Sequence, residues 1–263
     1  MIPLRDDNPT AHRPVVTIAL ILACVAVYFF IQPSGSASIT GRNANSDTEF
    51  TVKNAAIPCE VVQGRPLTID ELHRTYDLGE ADSCTKNDPS PAGFPHKQIY
   101  LALLLSMFLH AGLLHIAGNM LFLWVFGNNI EDRMGGAGFL AFYLVGGLIA
   151  SLGHVAFDPS STVPVVGASG AIAAVMGAYL VLYPKARVDT LIVLIFIPLF
   201  RKIPAWLLLG FWFLSQFAVD PTSGVAWAAH VTGFVFGVVA GLVLRATQGR
   251  ATPGPRLSPR VLG

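Results

Sequence analysis

Long apolar runs recur along most of the chain and are separated by shorter polar segments. A helix that crosses a bilayer needs about 20 mostly apolar residues, with about 17 as the lower limit. Six runs reach or approach this length, and the fourth falls just below it. They occupy residues 15–31, the second part of 99–126, 135–157, 168–183, 204–219 and 225–244. The pattern predicts six membrane-spanning helices.

Composition agrees with a chain that folds in lipid. Of 263 residues, 53% are hydrophobic and 13% are charged, whereas an ordinary soluble domain carries about 25% charged residues. A further apolar segment, 191–200, is short and contains Pro198, so we interpret it as interfacial or partly inserted. The prediction is an all-α, polytopic membrane protein.

The distribution of Lys and Arg predicts an orientation for the helices. If the N-terminus is cytoplasmic, basic residues concentrate in the segments on that side, as the positive-inside rule requires. Both termini are then cytoplasmic in a multi-pass protein of the plasma or inner cell membrane. The divisions are a cytoplasmic N-terminus (1–14), a first helix (15–31), an extracytoplasmic loop insertion (32–98), the remaining five helices (99–244) and a disordered cytoplasmic tail (245–263).

The insertion is polar and rich in turn-forming residues, which predicts a loop-rich segment. It contains Cys59 and Cys84, while Cys24 lies in the first apolar run. Two cysteines in one extracytoplasmic segment suggest a disulfide, and two free thiols are the alternative.

Polar residues inside apolar runs are informative, because their burial in hydrocarbon is expensive, and four of them converge on one depth. Under the predicted topology, Ser169 and His230 lie near the outer ends of the fourth and sixth runs. A break near residues 111–112 starts the second helix at about residue 113, so His115 and Asn119 lie at a similar depth. They are four residues apart and share one helix face. The convergence of these residues on one depth predicts a functional site.

Small residues predict that the helices carrying the serine and the histidine approach each other closely. Ala173 and Gly177 follow Ser169 at intervals of four residues, and Gly233, Gly237 and Gly241 repeat with the same spacing after His230. Such stripes let transmembrane backbones come close together. Simple helix packing explains the stripes equally well by themselves, but here they end at a serine and a histidine.

Glycines on both sides of the serine predict a sharp turn into the fourth helix. Gly167 and Gly170 flank Ala168 and Ser169, and glycine permits tight turns and close approach of a backbone. The serine would then lie at a helix N-terminus, where free N–H groups can stabilise an oxyanion. His110 lies in the preceding turn, and we interpret it as a structural histidine that holds the loop.

At these residues the sequence resembles the rhomboid family of intramembrane serine proteases. The matching motifs are His115-Ile-Ala-Gly-Asn119, Gly167-Ala-Ser169-Gly170 and Ala229-His230-Val-Thr-Gly233, with Gly237 following. The resemblance implies a six-transmembrane-helix bundle with a Ser169–His230 dyad. It also implies an oxyanion hole formed by the Ser169 backbone N–H with the side chains of His115 and Asn119.

The implied substrates are transmembrane helices of other membrane proteins, cut near their extracytoplasmic ends in the lipid bilayer. The active site would open to the extracytoplasmic side. No cofactor, no metal and no nucleic acid are expected to take part.

Three other functions compete with this interpretation. A metalloprotease would need a motif such as His-Glu-x-x-His, which does not occur in the sequence. A transporter or channel could use intramembrane His and Asn side chains, but no acidic or basic residue lies in the middle of a span. A catalytically inactive relative that binds transmembrane helices is disfavoured because Ser169 and His230 are both present.

Overall fold

The computed structural model of the protein describes residues 1–33, 44–194, 197–220 and 225–248, and the fold is mostly helical. In chain order the helices are α1 (Val15–Ala26), α2 (Ala44–Asn54), α3 (Pro58–Gln63), α4 (Ile69–Tyr76), α5 (Ile99–Leu105), α6 (Leu113–Met134), α7 (Gly136–Phe157), α8 (Ser169–Leu182), α9 (Ala205–Ser215) and α10 (Trp227–Gln248). The strands are β1 (Ile2–Asp6), β2 (Arg187–Leu194) and β3 (Ile197–Pro204).

The apolar runs form α1 and α6 to α10. Among the described residues, three helices are long and apolar enough to cross a membrane: α6, α7 and residues Trp227–Thr247 of α10. Four other apolar helices are shorter, namely Val15–Ile31 (α1 with a π-helical turn), Ile99–Phe108 (α5 with a 3₁₀ turn), α8, and Ala205–Ala218 (α9 with a 3₁₀ turn). Since a helix rises 1.5 Å per residue, the 14 residues of α8 extend over only about 21 Å.

Helix α8 lies at the centre of the bundle and is buried along almost its whole length. Its packing against α10 is close because glycines face backbone atoms of the neighbouring helix. A Cβ added at Gly237 would lie 1.9 Å from the Ala174 carbonyl oxygen, and one at Gly177 would lie 2.1 Å from the Phe234 carbonyl oxygen. Any larger side chain at either glycine would therefore push the two helices apart.

The all-α prediction is wrong in part, because the chain also contains a three-stranded antiparallel sheet in the order β1-β2-β3. The described residues of the apolar segment 191–200 belong to β2 and β3, and the sequence pattern did not predict these strands. Pro198 lies in β3 opposite Val193. Proline is tolerated at that position because β3 is an edge strand, where a missing N–H breaks little of the ladder.

Strand β1 is held against the bundle through Asp6. Its Oδ2 accepts hydrogen bonds from Asn129 Nδ2 of α6 at 2.6 Å and from the Tyr179 hydroxyl of α8 at 2.7 Å. Burial raises the pKa of Asp6 to about 6, although the hydrogen bonds from Tyr179 and Asn129 oppose this shift. One buried carboxyl group thus links the N-terminal strand to both α6 and α8.

The N-terminus of α1 is capped from a distance. No side chain of α1 or of the residue before it caps its first turn. Instead the buried carboxylate of Glu131, near the end of α6, accepts hydrogen bonds from the Val16 and Thr17 N–H groups at 2.8 and 2.7 Å. A carboxylate at a helix N-terminus satisfies free donors and complements the helix dipole. This contact fixes α1 against α6.

The described part of the insertion contains α2, α3 and α4, so it is more helical than its composition predicts. The structure contains a disulfide between Cys59 and Cys84. Glu60 and Lys97 form a buried ion pair. Burial raises the pKa of Glu60 and lowers that of Lys97, while the attraction between the two charges opposes both shifts. These contacts give the insertion a small core of its own.

The insertion contacts the loop that leads from α7 to α8. The Val165 N–H donates to the Ala56 carbonyl at 2.8 Å, and the Cys59 N–H donates to the Ser161 carbonyl at 2.9 Å. The Thr75 and Thr162 hydroxyls are 2.6 Å apart. The insertion therefore braces the loop that precedes Ser169.

The predicted tail begins later than expected. Helix α10 continues through Gln248, so residues 245–248 add about one turn to the last apolar helix. The remainder of the predicted disordered tail, 249–263, lies outside the described residues.

Candidate active site

Ser169 is the first residue of α8, and the turn before it requires glycine. Gly167 has a φ of +127°, a conformation that side chains rarely adopt, and a Cβ there would lie 2.9 Å from the imidazole of His115. The Gly167 N–H donates to the Ser106 carbonyl at 2.9 Å, which anchors the turn. As a result, Ser169 sits where the first backbone N–H groups of α8 have no partner within the helix.

His230 lies in the first turn of α10 and contacts Ser169 directly. Its Nε2 is 2.7 Å from the Ser169 hydroxyl oxygen. The helices meet at this level because Gly233 and Gly170 lie opposite each other: a Cβ on Gly233 would lie 2.2 Å from the Gly170 carbonyl oxygen. A hydroxyl within hydrogen-bonding distance of an imidazole nitrogen is the arrangement of an activated serine nucleophile.

A third side chain, which the sequence analysis missed, completes a chain of contacts. Gln216, in the turn that follows α9, places its Oε1 2.8 Å from His230 Nδ1. The Trp212 ring lies beside the same imidazole, with the ring centroids 5.8 Å apart. Its signal in the sequence was only that of a polar residue near the end of the apolar run 204–219.

His115 and Asn119 lie one turn apart on α6. His115 Nδ1 accepts a hydrogen bond from the Ala111 N–H at 3.2 Å. The neutral ring then carries its proton on Nε2, the atom that borders Gly167. Asn119 is buried, and its Nδ2 donates to the His115 carbonyl at 2.8 Å with one of its two hydrogens. Each side chain therefore retains an N–H donor.

His110 lies in the turn before α6, fully buried. Its backbone N–H donates to Gln32 Oε1 at 2.9 Å, and its carbonyl accepts from Gln32 Nε2 at 3.1 Å. Its ring lies edge-on to that of His115, with the ring centroids 5.3 Å apart. These contacts join the end of the first apolar helix to the loop beside the site.

One group of residues in the described part of the chain has the geometry to hold a metal ion, and it lies in the insertion. It consists of Cys59, Glu71 and Cys84. Both cysteines are joined in the disulfide, and Glu71 pairs with Arg65 at 2.8 Å. Because a disulfide sulfur is not a thiolate, these residues do not fit a metal.

The fold and the site define a helical membrane protein with a serine and a histidine in contact at the end of a buried helix. The family model for the rhomboid domain matches residues 97–247. The chain therefore belongs to the rhomboid family.

Individual relatives are similar to part of the chain. A human protein, the presenilin-associated rhomboid-like protein, mitochondrial, is 35% identical over 147 residues, which are 52% of this chain and 36% of the relative. The Arabidopsis thaliana RHOMBOID-like protein 12, mitochondrial, is 34% identical over 158 residues, covering 52% and 44%. The rhomboid protease GluP of Bacillus subtilis is 41% identical over 78 residues, covering 30% and 15%. The chain thus spans less than half the length of each of these relatives.

The predicted location in the plasma or inner cell membrane is wrong by this comparison, because the human and Arabidopsis relatives are named as mitochondrial proteins. The sequence pattern that led to the prediction detects a membrane and the sidedness of charge, but it contains nothing that distinguishes one organelle from another. A membrane location as such agrees with the family.

Proposed function

We propose that the chain is an intramembrane serine endopeptidase that cleaves transmembrane helices of membrane-protein substrates with a Ser169–His230 dyad. The observation that carries the proposal is the 2.7 Å contact between Ser169 Oγ and His230 Nε2, made between two apolar helices. The proposal includes a bundle of six helices within the bilayer, in which α1, α8 and α9 are shorter than the membrane is thick.

In the proposed reaction, His230 Nε2 accepts the hydroxyl proton as Ser169 attacks the scissile carbonyl. The imidazolium then returns the proton to the leaving amine, and an acyl-enzyme is left on Ser169. Water, deprotonated by the same nitrogen, then attacks the acyl-enzyme, and the proton passes to Ser169 Oγ as the second product leaves. Because all of these proton transfers use one nitrogen, it has to stay close to Ser169 through the cycle.

Three donors suit the oxyanion that forms during attack. They are the backbone N–H of Ser169, His115 Nε2 and the remaining hydrogen on Asn119 Nδ2. Preorganised donors of this kind are most effective where water is excluded. The short α8 supports such a site, because a helix of about 21 Å can begin below the surface of a bilayer about 30 Å thick.

The short α8 also bears on the proposed substrates. Its serine lies below the membrane surface on one side, so the bond that reaches it belongs to a helix that enters the bilayer from that side. We therefore expect cleavage near the substrate end on the side of the active site, at residues that allow the helix to unwind. The proposed partners are transmembrane proteins and the lipid bilayer.

The test is cleavage of a model transmembrane substrate in liposomes by the wild type, Ser169→Ala and His230→Ala. We expect both variants to abolish cleavage, and Asn119→Ala to lower the rate by about 10²–10³-fold. Matched controls are Ser151→Ala on α7 and His73→Ala in the insertion, which we expect to cleave at the wild-type rate. Cleavage by Ser169→Ala, or none by folded wild type across a varied panel, would favour helix binding instead.

A further inference from the structure

Gln216 occupies the place beside His230 that an acidic residue would fill in a three-membered catalytic chain. It is 6% exposed, and its Oε1 lies 2.8 Å from His230 Nδ1, on the side of the ring away from Ser169. The role assigned to the Ser169–His230 pair leaves this contact unexplained.

The orientation of the Gln216 amide follows from its other contacts. Its Nε2 lies 3.0 Å from the Trp212 carbonyl oxygen and 3.3 Å from the Ser215 hydroxyl oxygen. A backbone carbonyl can only accept a hydrogen bond, so the amide nitrogen has to face it. The amide oxygen is therefore left facing His230.

This orientation determines which nitrogen of His230 carries the proton. An amide oxygen can only accept, so Nδ1 has to be the N–H donor of the neutral ring. Nε2 is then a free acceptor, and it is the atom 2.7 Å from the Ser169 hydroxyl. Both contacts are therefore satisfied by a single tautomer of His230, with the proton on Nδ1, in which the Ser169 hydroxyl donates to Nε2.

We propose that Gln216 is a positioning residue that holds His230 in the Nδ1–H tautomer and in the ring orientation needed to activate Ser169. This proposal rests on the proposed function of the dyad. The amide dipole also faces the positive charge that develops on His230 when it accepts the serine proton.

A neutral amide suits this environment better than a carboxylate. A carboxylate in this place would favour the charged form of the imidazole, in which Nε2 cannot accept the serine proton. The titratable groups that act on the His230 ring are His115 and His154, on α6 and α7. Gln216 provides the acceptor without a buried charge. The expected consequence is a catalytic chain of Gln216, His230 and Ser169 in which the first member never ionises.

The experiment compares two variants of Gln216 in the full-length protein. Gln216→Met keeps the volume but removes the acceptor, whereas Gln216→Glu keeps the acceptor and adds a charge. Two readouts are taken over a range of pH: the rate at which a fluorophosphonate probe labels Ser169, and kcat and KM for a transmembrane substrate. The probe reports on serine activation without requiring substrate-helix binding.

For Gln216→Met we expect labelling and kcat to fall by about 10–100-fold with KM little changed, the size of effect seen when metal-binding histidines lose a similar second hydrogen bond. For Gln216→Glu we expect recovery towards the wild type. The acidic limb of its pH profile should move to higher pH, because a nearby carboxylate favours the charged imidazole. Gln98→Met is the matched control, since Gln98 is exposed and its amide nitrogen donates to the His96 carbonyl of its own loop.

The proposal is overturned if Gln216→Met is labelled at the wild-type rate, or if Gln216→Glu leaves the pH profile unchanged. Failure of the underlying function looks different, because the wild type itself would then show no labelling that depends on Ser169. If Gln216→Met has a lowered thermal midpoint, the pH profile of Gln216→Glu decides the question. A purely structural role would change stability without moving that profile.

Discussion

Two histidines at the site hold their protons on different nitrogens, and in each case one neighbouring atom decides which. Ala111 donates its N–H to Nδ1 of His115, so the proton of that ring lies on Nε2. Gln216 accepts from Nδ1 of His230, so Nε2 of that ring is free to accept. One imidazole can then donate to an oxyanion while the other receives a proton. At the scale of residues, one backbone amide and one side-chain amide therefore set the tautomers of the two histidines, and neither tautomer requires a carboxylate.

Asp6 gives the protein a pH dependence that can be measured separately from catalysis. Its pKa is about 6 in the folded protein, against about 3.9 in an unfolded chain. The folded state therefore binds the proton more tightly, so this contribution to stability is full below about pH 4 and is lost as the pH rises through about 6. The loss is at most about 3 kcal/mol, since one pKa unit is worth about 1.4 kcal/mol.

We expect Asp6→Asn to remove this slope from the thermal midpoint measured in detergent between pH 4 and 7. Asn at this position is always neutral, and its side-chain oxygen can still accept from Tyr179. Asp7→Asn is the control, because Asp7 is exposed and pairs with Lys202 at 2.8 Å, so the slope should remain. Equal slopes in the wild type and Asp6→Asn would show that Asp6 does not carry the pH dependence.

At the scale of elements, the contact between α8 and α10 controls the distance between the serine and the histidine. We expect Gly237→Ala to separate the helices, because its Cβ would lie 1.9 Å from the Ala174 carbonyl oxygen. Overpacking of this kind costs about 1–3 kcal/mol. A shift of about 1 Å at the reacting groups can lower a rate by about 10²-fold. Thermal midpoints and the labelling rate of Ser169 measure the two effects.

Gly210→Ala is the matched control for this prediction, since Gly210 lies on α9 and a Cβ there would have nothing within 4 Å. It should be neutral or stabilising by about 0.5–1 kcal/mol, because alanine favours a helix over glycine. The packing argument fails if Gly237→Ala and Gly210→Ala behave alike in both measurements.

The sequence predicted the structure best where burial of apolar side chains in lipid dominates. Burial in lipid makes a helix visible as an apolar run, so the start of α6 at Leu113 and the extent of α7 could be predicted closely. Ser169 and His230 were visible because polar residues stand out in such runs. The strands were missed because a short apolar run fits either a strand or an inserted segment, and β1 pairs with β2 from nearly 190 residues away.

Gln216 was missed for a different reason. It lies where an apolar run ends, a place where polar residues are ordinary, and no periodicity relates it to His230. Only the path of α9 brings its amide to the imidazole. The insertion was underestimated because its helices are short and depend on tertiary contacts, such as the buried pair of Glu60 and Lys97.

At the scale of the whole molecule, the insertion and the helical bundle meet at the loop that leads to Ser169. Ala56 of the insertion bonds to Val165 through its carbonyl, and its N–H donates to the Ser106 hydroxyl at 2.7 Å. The carbonyl of Ser106 in turn holds the Gly167 N–H. These three hydrogen bonds connect the insertion to the turn before Ser169, so the turn keeps its conformation only while the insertion stays folded.

Reduction of the disulfide should therefore impair the site before it unfolds the bundle. Cys59 and Cys84 are 25 residues apart, and closing a loop of that length stabilises a fold by about 3–4 kcal/mol. We expect a reductant to lower the labelling rate of Ser169 and substrate cleavage while the far-ultraviolet circular dichroism of the helices changes little. The remaining cysteine, Cys24, is a free and buried thiol, so the reductant has no disulfide to reduce there.

The double variant Cys59→Ser with Cys84→Ser separates the disulfide from other effects of the reductant. Without reductant it should show the low activity of the reduced wild type, and adding reductant should change nothing further. Cys24→Ser should keep both the activity and the sensitivity of the wild type. The prediction fails if the reduced protein is labelled, and cleaves substrate, as fast as the oxidised protein. The contacts of Ala56 and Ser106 would then hold the turn before Ser169 without the disulfide.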